Sequence, residues 1–213
     1  MKTYLKLFLA LGFMAITVSA TKAQSTSEVL ERGSAVTFFG IDFSRCKGVM
    51  LGATAEEMRD NYFPAINTLL LAEEEKYNVK KALMKSEVTY DPREVNRLNK
   101  TLDVANFNLY STKEITPLES QDIAQMVQRY NLKDKKGNGL VFIAESFDKL
   151  KNIGTYYLVY FSIPDGKVIL YEKVIGSSRG FGIRNYWAYT IYDILKSGLQ
   201  MKLEQKYMPK KTK

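Results

Sequence analysis

Residues 140–175, LVFIAESFDKLKNIGTYYLVYFSIPDGKVILYEKVI, decide the reading of the fold. They hold three extended runs, Leu140 to Ala144, Thr155 to Ser162 and Lys167 to Ile175, rich in β-branched and aromatic residues. Pro164-Asp165-Gly166 joins the last two. Pro presets its own φ, Asp bonds the backbone ahead of it and Gly accepts a positive φ, so the tripeptide makes a tight reversal. Consecutive strands with short links predict an antiparallel three-strand meander.

Upstream, extended pieces alternate with helix starts. Ala35 to Phe43 (AVTFFGIDF) reads as a buried strand, and Val49 to Ala53, Ser86 to Tyr90 and Phe107 to Tyr110 as shorter ones. Thr54-Ala55-Glu56-Glu57 is a capping box, in which hydroxyl and carboxylate each satisfy a free N–H at the helix end. Asp91-Pro92-Arg93-Glu94 and Thr116-Pro117-Leu118-Glu119 repeat the signal, with Pro where its missing N–H costs nothing. Tyr62, Ile66, Leu69 and Leu70 share one face of the first helix, which Pro64 is expected to break or kink. Ile123, Met126, Val127 and Tyr130 line the third.

Downstream, Arg184 to Lys206 reads as a single long C-terminal helix with Trp187, Ile191, Ile194, Leu195 and Leu199 as its stripe. The expected class is α/β (α+β): a mixed sheet carrying the meander, with helices packed on it. No repeat or linker divides residues 34–207, which read as one domain. Residues 24–33 (QSTSEVLERG) are polar and read as a loose lead-in, and 208–213 as a basic tail.

The N-terminus opens with Lys2 and Lys6, followed by the apolar run Leu7 to Ala20 (LFLALGFMAITVSA) and small residues. That order describes a secretory signal peptide; small-x-small cleavage fits after Ala20 or after Ala23, and the second, preferred, gives a signal over residues 1–23 and a start at Gln24. The run is 14 residues, short of the roughly 20 of a spanning helix. An exported chain, periplasmic or secreted, with no transmembrane segment after cleavage is the expectation. Loss of Lys2, Lys6 and Lys22 lowers the formal charge of +8 by three. The mild excess that remains fits anionic envelope partners, a glycan or lipid, better than nucleic acid.

There is no histidine and one cysteine. Ser-His-Asp and Cys-His nucleophiles, His-ligated metals and iron–sulfur clusters are thereby excluded. No metal site and no cofactor is implied. Cys46 reads as a small apolar core residue, although Arg45 and Lys47 would favour its thiolate if it were exposed. Carboxylate chemistry needs only two acids, and Asp42, Glu145 and Asp148 lie near the ends of expected strands. Carboxylates that merely stabilise turns account for the same residues. Asn99-Lys100-Thr101 fits the N-glycosylation sequon, a tripeptide that also arises by chance.

Gly176 to Asn185 (GSSRGFGIRN) lies between a strand and a helix. Arg179 and Arg184 suit bidentate contact with phosphate or carboxylate, and a helix start attracts anions. The spacing matches neither dinucleotide nor P-loop fingerprints, and a glycine-rich turn reversing the chain explains it as well. Phe181, Asn185, Tyr186 and Trp187 complete a candidate binding segment with the two arginines.

Two motifs carry a resemblance: Phe39-Gly40-Ile41-Asp42-Phe43-Ser44, and Gly180-Phe181-Gly182-Ile183-Arg184-Asn185-Tyr186-Trp187 before the final helix. Together they resemble an uncharacterised family of exported bacterial α/β proteins. The resemblance implies a fold and an export route, and no activity. The alternation of elements also resembles the α/β domains of envelope proteins such as the curli secretion lipoproteins. This chain lacks their lipid-attachment cysteine, and fold likeness does not carry function.

The leading expectation is a non-enzymatic envelope or secreted protein that binds a partner protein or an anionic surface through 179–192. The alternatives are a carboxylate-dependent, hydrolase-like enzyme and a small-molecule carrier.

Overall fold

The computed structural model describes residues 25–133 and 135–208. The signal-peptide reading of 1–23 and most of the basic tail therefore lie outside the described residues. In chain order the elements are α1 (Thr26–Leu30), β1 (Ala35–Asp42), β2 (Lys47–Val49), α2 (Ala55–Glu57), α3 (Phe63–Ala72), α4 (Val79–Ala82), β3 (Glu87–Tyr90), α5 (Arg93–Asn99), β4 (Asn108–Leu109), α6 (Ser120–Gln128), β5 (Asn138–Asp148), β6 (Ile153–Ser162), β7 (Val168–Ser177), α7 (Ile183–Lys196) and α8 (Leu199–Tyr207).

The seven strands form one mixed sheet in an α/β fold. β1 and β2 pair in parallel with successive halves of the same edge of β5: Asp42 lies opposite Ile143, and Lys47 opposite Ser146. They act as one strand interrupted at Phe43–Cys46. β3 extends the sheet beside β1, and β4 beside β2, both in parallel. On its other edge β5 pairs antiparallel with β6, which pairs antiparallel with β7.

The central strand is apolar on both faces because both are covered. Leu140, Phe142, Ala144 and Phe147 join a core with Phe43, Phe63, Tyr156 and Trp187 under α3 and α7. Val141 and Ile143 join a second core with Val95, Leu98, Ile123 and Val127 under α5 and α6. The result is a helix–sheet–helix sandwich.

The interruption between β1 and β2 is built into the chain. A bulge between Phe38 and Ile41 bends the strand, and Gly40 supplies its φ of 86°. The backbone groups freed there are buried and need partners. Asn67 of α3 accepts from the Ile41 N–H at 2.8 Å and donates to its carbonyl at 3.0 Å. Asn99 of α5 accepts from the Phe43 N–H at 2.6 Å and donates to the Ile41 carbonyl at 3.1 Å. The two asparagines thus clamp two helices to the sheet, and Asn99, the sequon asparagine, is buried with no room for a glycan.

Several local expectations are corrected. Residues 25–31 are not a loose lead-in: Ser25 and Glu28 form a capping box for α1, and Val29 and Leu30 are buried against the core. A polar average concealed two anchoring residues.

Pro64 does not divide its helix. A π-helical turn, Met58–Tyr62, precedes it, so the widened turn absorbs the missing donor and the helix continues to Ala72. α6 starts at Ser120, where Glu119 and Asp122 form the box in place of Thr116 and Glu119. α5 likewise starts at Arg93, with Pro92 just before it. The long C-terminal helix is two: Gly198 takes a left-handed φ of 73° and turns α8 away from α7.

Candidate functional site

Asp148 and the segment around Arg179 and Phe181 lie at one end of the sheet. Val49, Leu109, Asp148, Ile153 and Ser177 lie in a single cross-strand row, since Val49 is opposite both Leu109 and Asp148, Asp148 opposite Ile153, and Ile153 opposite Ser177. Every loop leaving that row shares one rim. At about 4.8 Å per strand the rim is roughly 19 Å wide. This is the carboxyl end of the parallel strands, where α/β sheets place their ligand crevices.

Two rim segments are joined. The β7–α7 loop runs from Ser178 to Gly182, and the β5–β6 turn from Lys149 to Asn152. The Ser178 N–H donates to the Asn152 carbonyl at 2.8 Å, and the Tyr186 hydroxyl donates to the Asn152 side chain. Lys149 lies over the Tyr186 ring, 3.7 Å from its centre. Between these ties the tips stand free: Phe181 is 94% exposed and Leu150 60%. Arg179, Arg184, Lys149 and Lys151 are exposed beside them, with no ion pair to any of the four among the described residues.

The candidate segment is therefore split. Arg179, Phe181, Arg184 and Asn185 are on the surface, and Arg184 Nε donates to Asn185 Oδ1 at 3.0 Å. Arg179 lies 5.8 Å from the centre of the Tyr189 ring. Tyr186 is half-buried. Trp187 is 1% exposed and stacks on Phe147, with centroids 4.5 Å apart and planes 7° from parallel. Trp187 belongs to the core, not to a binding surface.

The three acids each have their own hydrogen-bond partners. Asp42 is fully buried; its oxygens accept from the Ser44 N–H at 2.8 Å and the Tyr130 hydroxyl at 2.9 Å. Burial pushes its carboxyl up from the ordinary range, opposed by those two donors. Glu145 accepts from the Leu118 N–H at 3.1 Å, the Tyr157 hydroxyl at 3.0 Å and Lys173, and so pins the 115–119 loop to the sheet. Burial, then the charge of Glu145, pushes the Tyr157 phenol up. Asp148 accepts from the Thr112 hydroxyl and the Lys151 N–H, closing the turn after β5. Each carboxylate is occupied by structural donors.

Cys46 is buried, and desolvation drives its thiol far up. The flanking cations face elsewhere: Arg45 pairs with Asp122 at 2.6 Å, and Lys47 donates to the Asn106 carbonyl. Among the described residues no group of acids and cysteine is arranged to hold a metal ion. No described helix is long and apolar enough to cross a membrane.

A cavity of about 810 Å³ lies at the opposite end of the sheet, lined by residues that include Val127, Tyr130, Leu132, Lys135, Ile163 and Pro164. A smaller one of about 220 Å³ lies between α4 and the α7–α8 junction. Neither is lined by Asp42, Glu145 or Asp148.

Sequence reasoning missed Lys149, Leu150 and Lys151. Their signal was an apolar residue centred in a charged turn between two strands, where nothing local requires one. Met50 and Tyr110, also exposed on the rim, read as parts of short strands, whereas β2 and β4 end one residue before them. The chain matches no protein-family model and no curated protein.

Proposed function

We propose that this chain is an exported, non-catalytic binding protein that holds a partner protein or an anionic surface through the rim formed by residues 149–152 and 178–185. The observation that carries this reading is Phe181, 94% exposed between Arg179 and Arg184. An aromatic side chain held out in water, between two exposed arginines with no ion pair among the described residues, has the composition of a contact surface. Export rests on the order of basic, apolar and small segments in residues 1–23.

A hydrolytic reading finds no comparable support, because Asp42, Glu145 and Asp148 each accept hydrogen bonds from groups of the fold and line neither cavity described above. The test is residue-specific cross-linking from positions 179 and 184 in the native cell envelope. Cross-links to one reproducible species from both positions, lost when Phe181 is replaced by Ser, are expected. Cross-links that arise equally from a distant exposed position such as Lys202 would refute the site.

A further inference from the structure

We propose that the occupant of the rim is an anionic lipid bilayer, entered by Leu150 and Phe181 while Lys149, Lys151, Arg179 and Arg184 meet lipid phosphates. The inference rests on the binding reading above and names its partner.

The first argument is geometric. Leu150 and Phe181 come from different loops that leave neighbouring positions of the same row and are bonded together through Asn152. The two tips therefore stand at adjacent places on the rim, tied by backbone and side-chain hydrogen bonds. Met50 and Tyr110 extend the same rim across β2 and β4 and are themselves exposed. Five cavities formed by the described residues have no lining residue from 149–152 or 178–185. The site is a set of protruding tips, which suits a deformable sheet of lipid and offers a small ligand no enclosure.

The second argument is the distribution of charge. The exposed acids of the rim, Glu56, Glu57 and Glu114, belong to the β2 and β4 flank. On the β5–β7 half, Asp148 is buried and Asp193 accepts from the Ser177 N–H at 2.9 Å. Four exposed cations remain around two apolar tips. Side chains reaching the headgroup–acyl boundary, with Lys and Arg at headgroup level, describe interfacial binding.

The magnitudes follow. Each cation near an anionic surface is worth about fivefold in affinity, and burying a phenylalanine side chain about tenfold or more. The experiment is vesicle co-sedimentation of the chain from Gln24 onward, which contains every residue of the fold described above. Vesicles of phosphatidylcholine alone are compared with vesicles containing 30% phosphatidylglycerol, on the order of the anionic content that gives a marked surface potential.

Binding to the anionic vesicles only, weakened by salt, is expected. Lys151→Gln with Arg184→Gln should lower it about 25-fold, and Leu150→Ser with Phe181→Ser at least as much. All four positions are exposed, so thermal unfolding of these variants should match the parent. As a second readout, Ser177→Cys, exposed at the base of the loop and outside the proposed contacts, carries an environment-sensitive dye, selectively because Cys46 is buried, and its emission should shift to the blue on anionic vesicles.

Absence of vesicle binding, or binding unaffected by both double variants, overturns the inference. If vesicles fail while envelope cross-links from 179 and 184 converge on one protein, the lipid is wrong and the binding site stands. If both fail, the site itself is wrong.

Discussion

Trp187 and Phe181 lie six residues apart in one candidate segment, and the structure assigns them opposite fates. Trp187→Ala removes a side chain that is 1% exposed and stacked at 4.5 Å on Phe147. Truncating a buried Trp costs about 3–5 kcal/mol, from lost transfer energy and the cavity left behind. With a urea slope near 2 kcal/mol per M for a chain of this size, the midpoint should fall by about 2 M. Phe181→Ala removes a side chain already in water and should stay within about 0.5 kcal/mol of the parent. Equilibrium urea unfolding followed by far-ultraviolet circular dichroism measures both on one scale. A Trp187→Ala protein within 1 kcal/mol of the parent that has lost only binding would refute the core assignment. It would return Trp187 to the surface role that its neighbours suggest.

Gly40→Ala should destabilise by about 2–5 kcal/mol, combining left-handed strain with an unpaired Ile41 N–H. The added Cβ would stand 2.8 Å from Asn67 Oδ1, which holds that N–H, so a scanning-calorimetry midpoint unchanged from the parent would refute the clamp. Cys46 should not react with a disulfide reagent until the protein is unfolded, because burial both shields the thiol and raises its pKa; rapid native labelling would contradict this. Glu204, bonded at 2.7 and 2.6 Å by Arg32, is held down to about 2, Arg32 being the first cause and Gln200 the second. Its stabilising contribution is therefore present above the ordinary carboxylate range and lost as pH falls through that range towards 2. The difference in melting temperature between parent and Glu204→Gln should shrink over that interval and vanish below it.

The strands and the layers were largely legible because hydrophobic periodicity is a local quantity. Residues 140–175 hold apolar, β-branched and aromatic runs joined by a Pro-Asp-Gly turn, as an antiparallel pair requires, and the Thr54–Glu57 box marks the start of its helix in the chain and in the fold. Absences were decisive as well: without histidine, whole classes of chemistry fall away whatever the fold.

What the sequence could not determine is which side of a surface each residue reaches. Ser197-Gly198 divides what reads as one helix, and Pro64 fails to divide another, because the packing of α8 and the π-helical turn decide both. Asp42, Glu145 and Asp148 look alike in sequence, yet each finds different donors on segments far along the chain: Tyr130, Leu118 and Thr112. The rim is the strongest case. Lys149 to Lys151 and Arg179 to Arg184 are some 30 residues apart in sequence and become one surface only through the register that places Asp148, Ile153 and Ser177 in a row. Local patterns determine elements, whereas a site depends on which loop ends the strand pairing brings together, and on whether each donor and acceptor has already found a partner within the fold.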